Sequence, residues 1–369
     1  MRSITFVSTS RSDFATISAI IELSKLEEKA KINLLICKDV ASKITKRNFN
    51  IVEMNTSINV CKANKHQLQK EISTELTKLS RNPQKTIIFL VGDRWETLYI
   101  AYECLLLNLP VVHHSGGDIT NGAFDNQIRD AITSLSDYHL TSNELHTKRL
   151  IKLGEEKNKV QTVGEPGLLK LKKEIQRNNE FNNIYEIEKP FVLACFHSST
   201  LDVISYEEQA SKIIDILDKI NLNIILTYPN MDPGGYLIHQ KLKNYALNKK
   251  NITYIEKLGH TYFSYLIHSL CVIGNSSSGI LEANMASKIS INVGSRQHGR
   301  LKSNSIIDIA YSDKEFSKSF KGIEERYKEL SKEDFTSPYF DEKSIDLIEN
   351  FLIKICKINN IKKIKVKSF

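Results

Sequence analysis

Three consecutive serines lie between two glycines at residues 274–279, directly after a short apolar run. This pattern predicts a strand, a tight turn and the N-terminus of a helix. Unpaired backbone N–H groups and the positive end of the helix dipole converge at such a terminus, so it suits an anion, especially a phosphate. Ser and Asn are also ordinary N-cap residues, but three serines with Glu282 one turn further are more than one cap requires. We therefore predict a phosphate or diphosphate site at residues 274–282.

Polar side chains also follow other predicted strands, and each has a structural interpretation beside the chemical one. Arg11 could bind phosphate through two hydrogen bonds or simply pair with Asp13. Asp93 could cap the next helix, act as an acid or base, or do both. His197 ends an apolar strand and is interpreted as functional, because it would face the phosphate site. The candidates at strand ends are Arg11, Asp93, Arg94, Asp118, Asp125, His197, Asn230, Ser276, Ser277, Ser278, Glu282, Arg296 and Arg300.

Apolar strands alternate with helical segments along almost the whole chain. Predicted strands cover residues 4–8, 32–37, 86–91, 111–113, 138–141, 160–163, 191–196, 224–228, 252–255, 270–273 and 289–293. Predicted helices cover residues 14–26, 65–80, 95–107, 125–134, 144–153, 206–219, 236–247, 262–268 and 345–355. This alternation predicts an α/β fold with parallel, doubly wound sheets.

The alternation is interrupted by a polar stretch at residues 170–189, which we interpret as an interdomain linker. We therefore predict two Rossmann-like doubly wound domains, residues 1–170 and residues 171–369. Ligands of open α/β sheets bind outside the carboxyl ends of the strands. The two domains are accordingly expected to face each other across a cleft that the candidate residues line.

Composition and charge predict a soluble, cytoplasmic protein. The chain has 51 basic and 43 acidic residues, a net charge of +8, and 41% hydrophobic residues. It lacks an apolar run long enough to span a bilayer and an N-terminal signal-peptide core. Basic residues concentrate near the C-terminus and are interpreted as a solvated tail. We therefore expect no nucleic-acid partner and no stable membrane insertion.

Motifs for common cofactors are missing. No G-x-G-x-x-G follows the first strand, which disfavours a nicotinamide-dependent enzyme, and no G-x-x-x-x-G-K-[ST] indicates a P-loop NTPase. H-E-x-x-H is absent, and the six cysteines show no C-x-x-C spacing, so they are predicted to be reduced, buried thiols. No metal site and no cofactor are expected.

Taken together, the motifs resemble those of the hydrolysing UDP-N-acetylglucosamine 2-epimerases, in the branch that supplies precursors of sialic acid and legionaminic acid. The resemblance covers nearly the whole chain and rests on residues 9–14, 92–96, 116–129, 196–201, 228–230, 274–282 and 294–297. It implies a glycosyltransferase-B architecture in which the last helix crosses back to the first domain. It also implies a homodimer and a UDP-sugar substrate.

The resemblance further implies a reaction and its residues. A base removes the C2 proton of the sugar while UDP leaves from C1, and water then adds to the resulting glycal with inversion at C2. For UDP-N-acetylglucosamine, the first expected substrate, the products are N-acetylmannosamine and UDP. By position, the implied catalytic groups are Asp93, Asp125 and His197. The implied substrate contacts are Arg11, Arg94, Asn230, Ser276, Ser277, Glu282 and Arg296.

One loop departs from the family's pattern. Ser115 stands where many members carry a catalytic Glu and others a His, and three usual residues are also replaced at Asn121, Asn126 and Asp130. One interpretation is a changed sugar, such as a UDP-2,4-diacetamido-trideoxyhexose, with Asp118 or His114 taking over proton transfer. Asp118 therefore joins the catalytic candidates. The other interpretations are a degenerate nucleotide-sugar binding protein and a glycosyltransferase.

Overall fold

The computed structural model describes residues 2–37, 50–54, 65–176, 190–230, 232–256 and 258–358. The chain divides into two compact units. Unit 1 comprises Met1–Asp118, Asp125–Lys170 and Tyr339–Phe369, and unit 2 comprises Ile119–Phe124 and Leu171–Pro338. The short segment Ile119–Phe124 therefore belongs to unit 2, although the residues on both sides of it belong to unit 1.

Each unit contains one set of strands. Those of unit 1 are β1 (Ser3–Ser8), β2 (Ile32–Cys37), β3 (Asn50–Met54), β4 (Thr86–Val91), β5 (Val111–His114), β6 (Tyr138–Thr141) and β7 (Val160–Thr162). Those of unit 2 are β8 (Phe191–Cys195), β9 (Asn223–Thr227), β10 (Ile252–Ile255), β11 (Val272–Gly274), β12 (Ser290–Val293) and β13 (Ile306–Ile309).

Helices follow most of the strands. In chain order they are α1 (Arg11–Leu23), α2 (Leu26–Lys29), α3 (Lys65–Ser80), α4 (Trp95–Leu106), α5 (Asp125–Leu135), α6 (Glu144–Lys152), α7 (Pro166–Gln176), α8 (Tyr206–Leu217), α9 (Gly235–Leu247), α10 (Tyr262–His268), α11 (Ser278–Met285), α12 (Asp313–Lys321), α13 (Ile323–Glu329) and α14 (Ser344–Cys356). Among the described residues, every helix is too short or too polar to cross a membrane.

Both sheets are parallel and doubly wound. Among the described residues, the strand order is β3-β2-β1-β4-β5-β6-β7 in unit 1 and β10-β9-β8-β11-β12-β13 in unit 2. In each sheet the order reverses once, between β1 and β4 and between β8 and β11. Ligands of such sheets bind outside the carboxyl ends of the strands at this reversal. The fold therefore marks the ends of these four strands as the places to examine.

Helices cover both faces of the unit 1 sheet, and successive side chains along its central strands are buried on opposite faces. Phe6 and Phe89 pack with α1 and α14 on one face, and Val7 and Leu90 pack with α3 and α4 on the other. Helix α14 thus belongs to the core of unit 1, where Leu352 is fully buried. Strands covered on both faces must be apolar throughout, which accounts for the uninterrupted apolar runs in the sequence.

Unit 2 repeats this arrangement with its own core. Ala194 and Leu226 pack with α8 and α9 on one face of the sheet, and Leu193 and Ile225 pack with α10 and α11 on the other. The strands β8, β9 and β11 are held between these layers. Apolar packing on both faces therefore holds these strands in place, and polar residues follow their carboxyl ends.

The predicted strands and helices are all present, with small shifts at their ends. Elements α2, β3, α7, β13, α12 and α13 were not predicted. Residues 170–176 of the predicted linker continue α7, because Leu168, Leu171 and Ile175 recur at helical spacing and Leu171 is buried. The division between the two units falls within this helix, between Lys170 and Leu171. Residues 177–189 lie outside the described part of the chain.

The cysteine prediction is confirmed for three thiols. Cys104, Cys271 and Cys356 are free and buried, whereas Cys195 is free but only half-buried. Cys61 and the side chain of Cys37 lie outside the described residues. The described part of the chain contains no group of three or more His, Cys, Asp or Glu side chains that could hold a metal ion.

Candidate active site

In unit 1, two of the predicted catalytic aspartates are held by one buried arginine. Arg129 lies in α5, and its side chain is only 1% exposed. It forms an ion pair with the Asp93 carboxylate, which follows β4. It also donates hydrogen bonds to the main-chain oxygen of Asp118 (2.8 Å) and to Asn126 Oδ1 (3.0 Å). Because a buried guanidinium must be paired, Arg129 fixes the ends of β4 and of the loop after β5 against α5.

Helix α6 supplies two further basic groups to the same region. His146 Nε2 lies 3.4 Å from Asp118 Oδ1. Arg149 Nη1 and Nη2 donate hydrogen bonds to Asp130 Oδ1 and Oδ2, at 3.0 and 2.7 Å. His146 and Arg149 are three residues apart and therefore lie on the same face of the helix. Asp118 and Asp130 are thus each held by a side chain of α6.

The remaining predicted residues of unit 1 differ in how accessible they are. The Asp93 side chain is 26% exposed, whereas that of Asp118 is 9% exposed. Asp125 is half-buried and begins α5. Arg94 is directed to Glu96, two residues further along, at 2.9 Å. Arg11 begins α1, but its side chain lies outside the described part of the structure.

The two histidines of β5 are structural. His113 Nε2 lies 2.8 Å from the main-chain oxygen of Gly92, and its Nδ1 lies 3.1 Å from Thr133 Oγ1. Burial lowers the pKa of His113 to about 3. His114 is also fully buried, and burial lowers its pKa as well. A fully buried ring is badly placed to exchange protons with a ligand, so Asp118 is the stronger of the two proposed replacements.

Ser115 takes an unusual backbone conformation after β5. Its φ of 67° lies in the left-handed region, which few residues other than glycine adopt. Its hydroxyl lies 2.7 Å from His114 Nδ1 and 3.5 Å from Glu165 Oε2. The carboxylate of Glu165 also accepts a hydrogen bond from Thr16 Oγ1 at 2.8 Å. Ser115 is therefore anchored in a polar network at the end of the strand.

In unit 2, the predicted strand–turn–helix at residues 274–282 is present. Gly274 ends β11 with a φ of +145°, and a Cβ atom there would lie 1.8 Å from the main-chain oxygen of Cys195. Only glycine fits such an approach. Ser277 occupies the N-cap position of α11, yet its side chain makes no capping hydrogen bond. Its hydroxyl is therefore not used for the ordinary capping role of a serine at this position.

Asn275 organises this turn. Its side chain is fully buried, accepts a hydrogen bond from the His197 main-chain N–H (2.6 Å) and donates one to the His197 main-chain oxygen (2.8 Å). The main-chain oxygen of Asn275 accepts hydrogen bonds from Arg296 Nη1 (3.2 Å) and Gln297 Nε2 (2.8 Å). Asn275 thereby joins the end of β8, the turn after β11 and the loop after β12.

The hydrogen bonds of His197 show which ring nitrogen carries its proton. The main-chain N–H of Asn230 donates to His197 Nδ1 at 2.9 Å, so Nδ1 carries no hydrogen. Burial lowers the pKa of His197 well below its ordinary value, and the nearby positive charge of Arg296 lowers it further. The ring is therefore neutral with its proton on Nε2, which lies 3.6 Å from Cys195 Sγ. His197 is arranged as a hydrogen-bond donor.

Buried polar atoms without partners mark the same place. Within the part of the chain that the structure describes, Arg296 Nε and Asn230 Oδ1 are buried and make no hydrogen bond. Arg296 Nη2 is 3.9 Å from Asp232 Oδ2, so the guanidinium is only loosely paired. Buried polar atoms in proteins are nearly always satisfied. Their clustering around the turn after β11 indicates a site for polar ligand groups.

Glu282 lies one helical turn into α11, beside Tyr262. Burial raises the pKa of Tyr262 well above its ordinary value, and the charge of Glu282 raises it further. Tyr262 is hydrogen-bonded to the Ser278 hydroxyl. The first turn of α11 therefore carries hydroxyl groups, and the Glu282 carboxylate lies one helical turn further along.

The loop whose sequence differs from the family pattern is divided between the two units. Asn121 N–H donates to the main-chain oxygen of His298 (2.9 Å), and the oxygen of Gly122 accepts from Leu201 N–H (3.2 Å). A Cβ atom at Gly122 would lie 2.5 Å from Arg296 Cα. Segment Ile119–Phe124 is thus pressed directly onto the loop that carries Arg296, and only glycine allows this approach.

A comparison with protein families decides which family these features belong to. The family described as UDP-N-acetylglucosamine 2-epimerase matches residues 37–353 of this chain. The chain belongs to this family. The resemblance that the sequence motifs indicate is therefore confirmed.

Two curated relatives in this family are named as hydrolysing epimerases. A UDP-N,N'-diacetylbacillosamine 2-epimerase of Legionella pneumophila is 31% identical over 326 residues, which are 84% of this chain and 85% of that protein. A GDP/UDP-N,N'-diacetylbacillosamine 2-epimerase of Campylobacter jejuni is 36% identical over 238 residues. That second match covers 62% of this chain and 61% of the relative, less than two thirds of either. The chain is an enzyme of the hydrolysing 2-epimerase family.

Solved structures of the epimerase family share the fold. The crystal structure of UDP-GlcNAc 2-epimerase from Neisseria meningitidis bound to UDP-GlcNAc matches with a TM-score of 0.74 and 15% identity, over 96% of this chain and 100% of that one. At this identity the likeness establishes the fold. The predicted α/β class with two doubly wound, Rossmann-like sheets of the glycosyltransferase-B kind is confirmed.

Sequence reasoning missed three residues that organise the epimerase's two polar regions. Arg129, His146 and Asn275 each hold a predicted candidate in place. A signal existed for Arg129, because it lies four residues after Asp125 and so on the same face of the predicted helix. Asn275 lies inside the turn motif. His146 offered no local signal, because its partner is 28 residues away in the sequence.

Proposed function

We propose that this epimerase hydrolyses a UDP-linked 2,4-diacetamido-2,4,6-trideoxyhexose. The products are UDP and the free sugar with inverted configuration at C2. The proposal is carried by the polar site around the turn after β11, where Arg296 Nε and Asn230 Oδ1 are buried without a hydrogen bond among the described residues and the Ser277 hydroxyl makes no capping bond. The hydroxyl and guanidinium donors suit the diphosphate of a nucleotide sugar, and the Asn230 amide oxygen can accept a hydrogen bond from a ligand hydroxyl.

In the proposed first step, UDP leaves from C1 and takes the bonding electron pair. Negative charge then develops on the oxygen of the departing diphosphate. Ser276, Ser277 and the backbone N–H groups of α11 stabilise this charge, together with Arg296 and the Nε2–H of His197. A neutral imidazole donates without releasing its proton, so His197 contributes electrostatically and not as a base. Glu282 accepts hydrogen bonds from the ribose hydroxyls.

The carboxylates of unit 1 carry out the proposed proton transfers. A base removes the C2 proton as the C1–O bond breaks, and a C1=C2 double bond forms. Water then adds its oxygen to C1, while a proton returns to C2 from the opposite face. These steps need acids and bases on both sides of the sugar, which we assign to Asp93, Asp118 and Asp125. Arg94 and Arg11 are assigned to substrate binding.

The relatives support the diacetamido sugar better than UDP-N-acetylglucosamine, the first substrate expected from the sequence. Both relatives described above are named for diacetylbacillosamine nucleotides. The loop after β5 is where the sequence departs from the family pattern, and Ser115 is smaller than the Glu or His that family members carry at this position. A smaller side chain leaves more room for a second acetamido group.

A substrate comparison tests this proposal. Purified protein is incubated with the UDP-2,4-diacetamido-trideoxyhexose and, separately, with UDP-N-acetylglucosamine, and UDP release is followed continuously. We expect kcat/KM to be at least about tenfold higher for the diacetamido sugar, since one well-placed polar contact is worth about that much. A higher value for UDP-N-acetylglucosamine contradicts the proposed substrate. UDP release that requires an acceptor indicates a transferase, and UDP binding without turnover indicates a binding protein.

A further inference from the structure

Asp118 is held both at its main-chain oxygen and at its carboxylate. Its main-chain oxygen accepts from Arg129 Nη1 at 2.8 Å and from Arg149 Nη1 at 3.5 Å. Its carboxylate Oδ1 lies 3.4 Å from His146 Nε2. His146 itself is buried and packs against the ring of Tyr339, with the ring centres 5.8 Å apart. Both partners of the His146–Asp118 pair are therefore fixed.

The loop before Asp118 packs directly against the backbone of His146. Gly117 has a φ of +83°, and a Cβ atom there would lie 2.8 Å from the main-chain oxygen of His146. The loop can therefore lie directly on the first turn of α6 only because this residue is glycine. The same turn is fixed by Asn143, whose Oδ1 accepts from the His146 N–H at 3.0 Å. The contact between His146 and Asp118 follows from this close approach of loop and helix.

A second buried histidine–carboxylate pair in unit 1 provides a comparison. His139 Nε2 lies 2.9 Å from Glu155 Oε2, and both side chains are almost fully buried. Neither residue is among those assigned to substrate or proton transfer. The two pairs thus have similar chemistry and similar burial. They differ in that only His146 contacts a candidate catalytic group, Asp118.

We propose that His146 is a positioning residue for Asp118. Its ring, whose Nε2 lies 3.4 Å from one oxygen of the carboxylate, restricts where the other oxygen points during proton transfer at C2. The inference rests on the proposed function, because it assumes that Asp118 exchanges a proton with the sugar. Misplacement of a reacting group by about 1 Å can lower a rate about 100-fold, so a contact that fixes the carboxylate affects kcat strongly.

The test compares His146→Leu, His146→Gln and His139→Leu in the full-length protein. For each we measure kcat and KM for the diacetamido substrate, UDP affinity by calorimetry and the melting temperature. His146→Leu removes the donor at similar volume and should lower kcat about 100-fold, with KM and UDP affinity changed by less than about threefold. The amide N–H of His146→Gln can replace Nε2–H and should restore about a tenth of the wild-type kcat.

His139→Leu controls for the loss of a buried histidine. It should lower the melting temperature while kcat per folded molecule stays within about threefold of wild type. If His139→Leu lowers kcat as much as His146→Leu, the effect is structural and the inference fails. It also fails if the wild type is active and His146→Leu keeps its kcat. Wild-type protein that binds UDP but converts neither sugar overturns the proposed function itself, and the inference with it.

Discussion

The two polar regions of this epimerase are built on opposite principles. In unit 1 the charged groups are already paired: Arg129 with Asp93, Arg149 with Asp130 and His146 with Asp118. In unit 2 the same kind of strand-end position carries hydroxyls, amides and a neutral histidine, and some buried atoms have no partner among the described residues. A paired charge fixes the direction of a carboxylate, whereas an unpaired donor such as Arg296 Nε can bind an oxygen of a ligand. Under the proposed function, proton transfer is therefore assigned to unit 1 and anion binding to unit 2.

Asp125→Asn should break this division most clearly. Removal of one acid or base typically costs a rate factor of 10² to 10⁴, so we expect kcat to fall about 10³-fold. UDP affinity, measured by calorimetry, should stay within about twofold, because Asp125 is assigned to proton transfer and not to UDP binding. Asp130→Asn, in the same helix, is the matched control and should leave kcat within about threefold. A large loss of UDP affinity in Asp125→Asn would move this residue into the nucleotide site.

Arg129→Met should destabilise unit 1 strongly. Removing one partner of a buried ion pair leaves the other uncompensated, and we expect the free energy of unfolding to fall by about 3 kcal/mol. Arg149→Met provides the control, because its pair with Asp130 is more exposed and should be worth less than about 1 kcal/mol. Urea denaturation of both variants measures the two values. Equal losses of unfolding free energy would mean that the buried Arg129–Asp93 pair contributes no more to stability than the more exposed Arg149–Asp130 pair.

Buried neutral histidines should make the protein sensitive to acid. The pKa of His113 is about 3 in the folded protein, against 6.5 for an ordinary histidine. The unfolded chain therefore binds the proton first as the pH falls. The stability contributed by neutral His113 is complete above about pH 6.5 and is lost down to about pH 3, at about 1.4 kcal/mol per pH unit.

Urea denaturation at pH 7, 6 and 5 checks this sign and size. His113→Asn should be less stable than wild type at pH 7, because it loses contacts to Gly92 and Thr133. Its stability should nevertheless fall less steeply with acid, by about 1.4 kcal/mol per pH unit. Parallel slopes for the two proteins would show that His113 is protonated in the folded state.

Ser277→Ala should have the smallest effect, and it sharpens the description of unit 2. An ordinary N-cap serine is worth about 1 kcal/mol of stability, but the Ser277 side chain makes no capping bond. We expect stability to change by less than about 0.5 kcal/mol and UDP affinity to fall about tenfold, the value of one hydrogen bond to a charged group. Loss of stability with unchanged UDP affinity would return Ser277 to the role of a plain cap.

The sequence was informative where structure depends on local signals. The turn at Gly274 was predictable because an apolar run, a glycine and serines stand next to one another. It was uninformative where contacts join distant residues. Arg129 and Asp93 are 36 residues apart. The docking of Gly122 on Arg296 depends on backbone contact between two loops, which no local pattern expresses. The polar helix α12 was missed for a related reason, since it is stabilised by Phe316 in the core of unit 2.

The most direct test of the central claim is the fate of the C2 hydrogen. The protein is incubated with the UDP-2,4-diacetamido-trideoxyhexose in D₂O, and the products are identified by ¹H and ³¹P NMR. Elimination followed by addition of water predicts UDP and a free sugar of inverted C2 configuration that carries one deuterium at C2. A released sugar that keeps its C2 hydrogen and its configuration would indicate simple hydrolysis at C1 and would contradict the account.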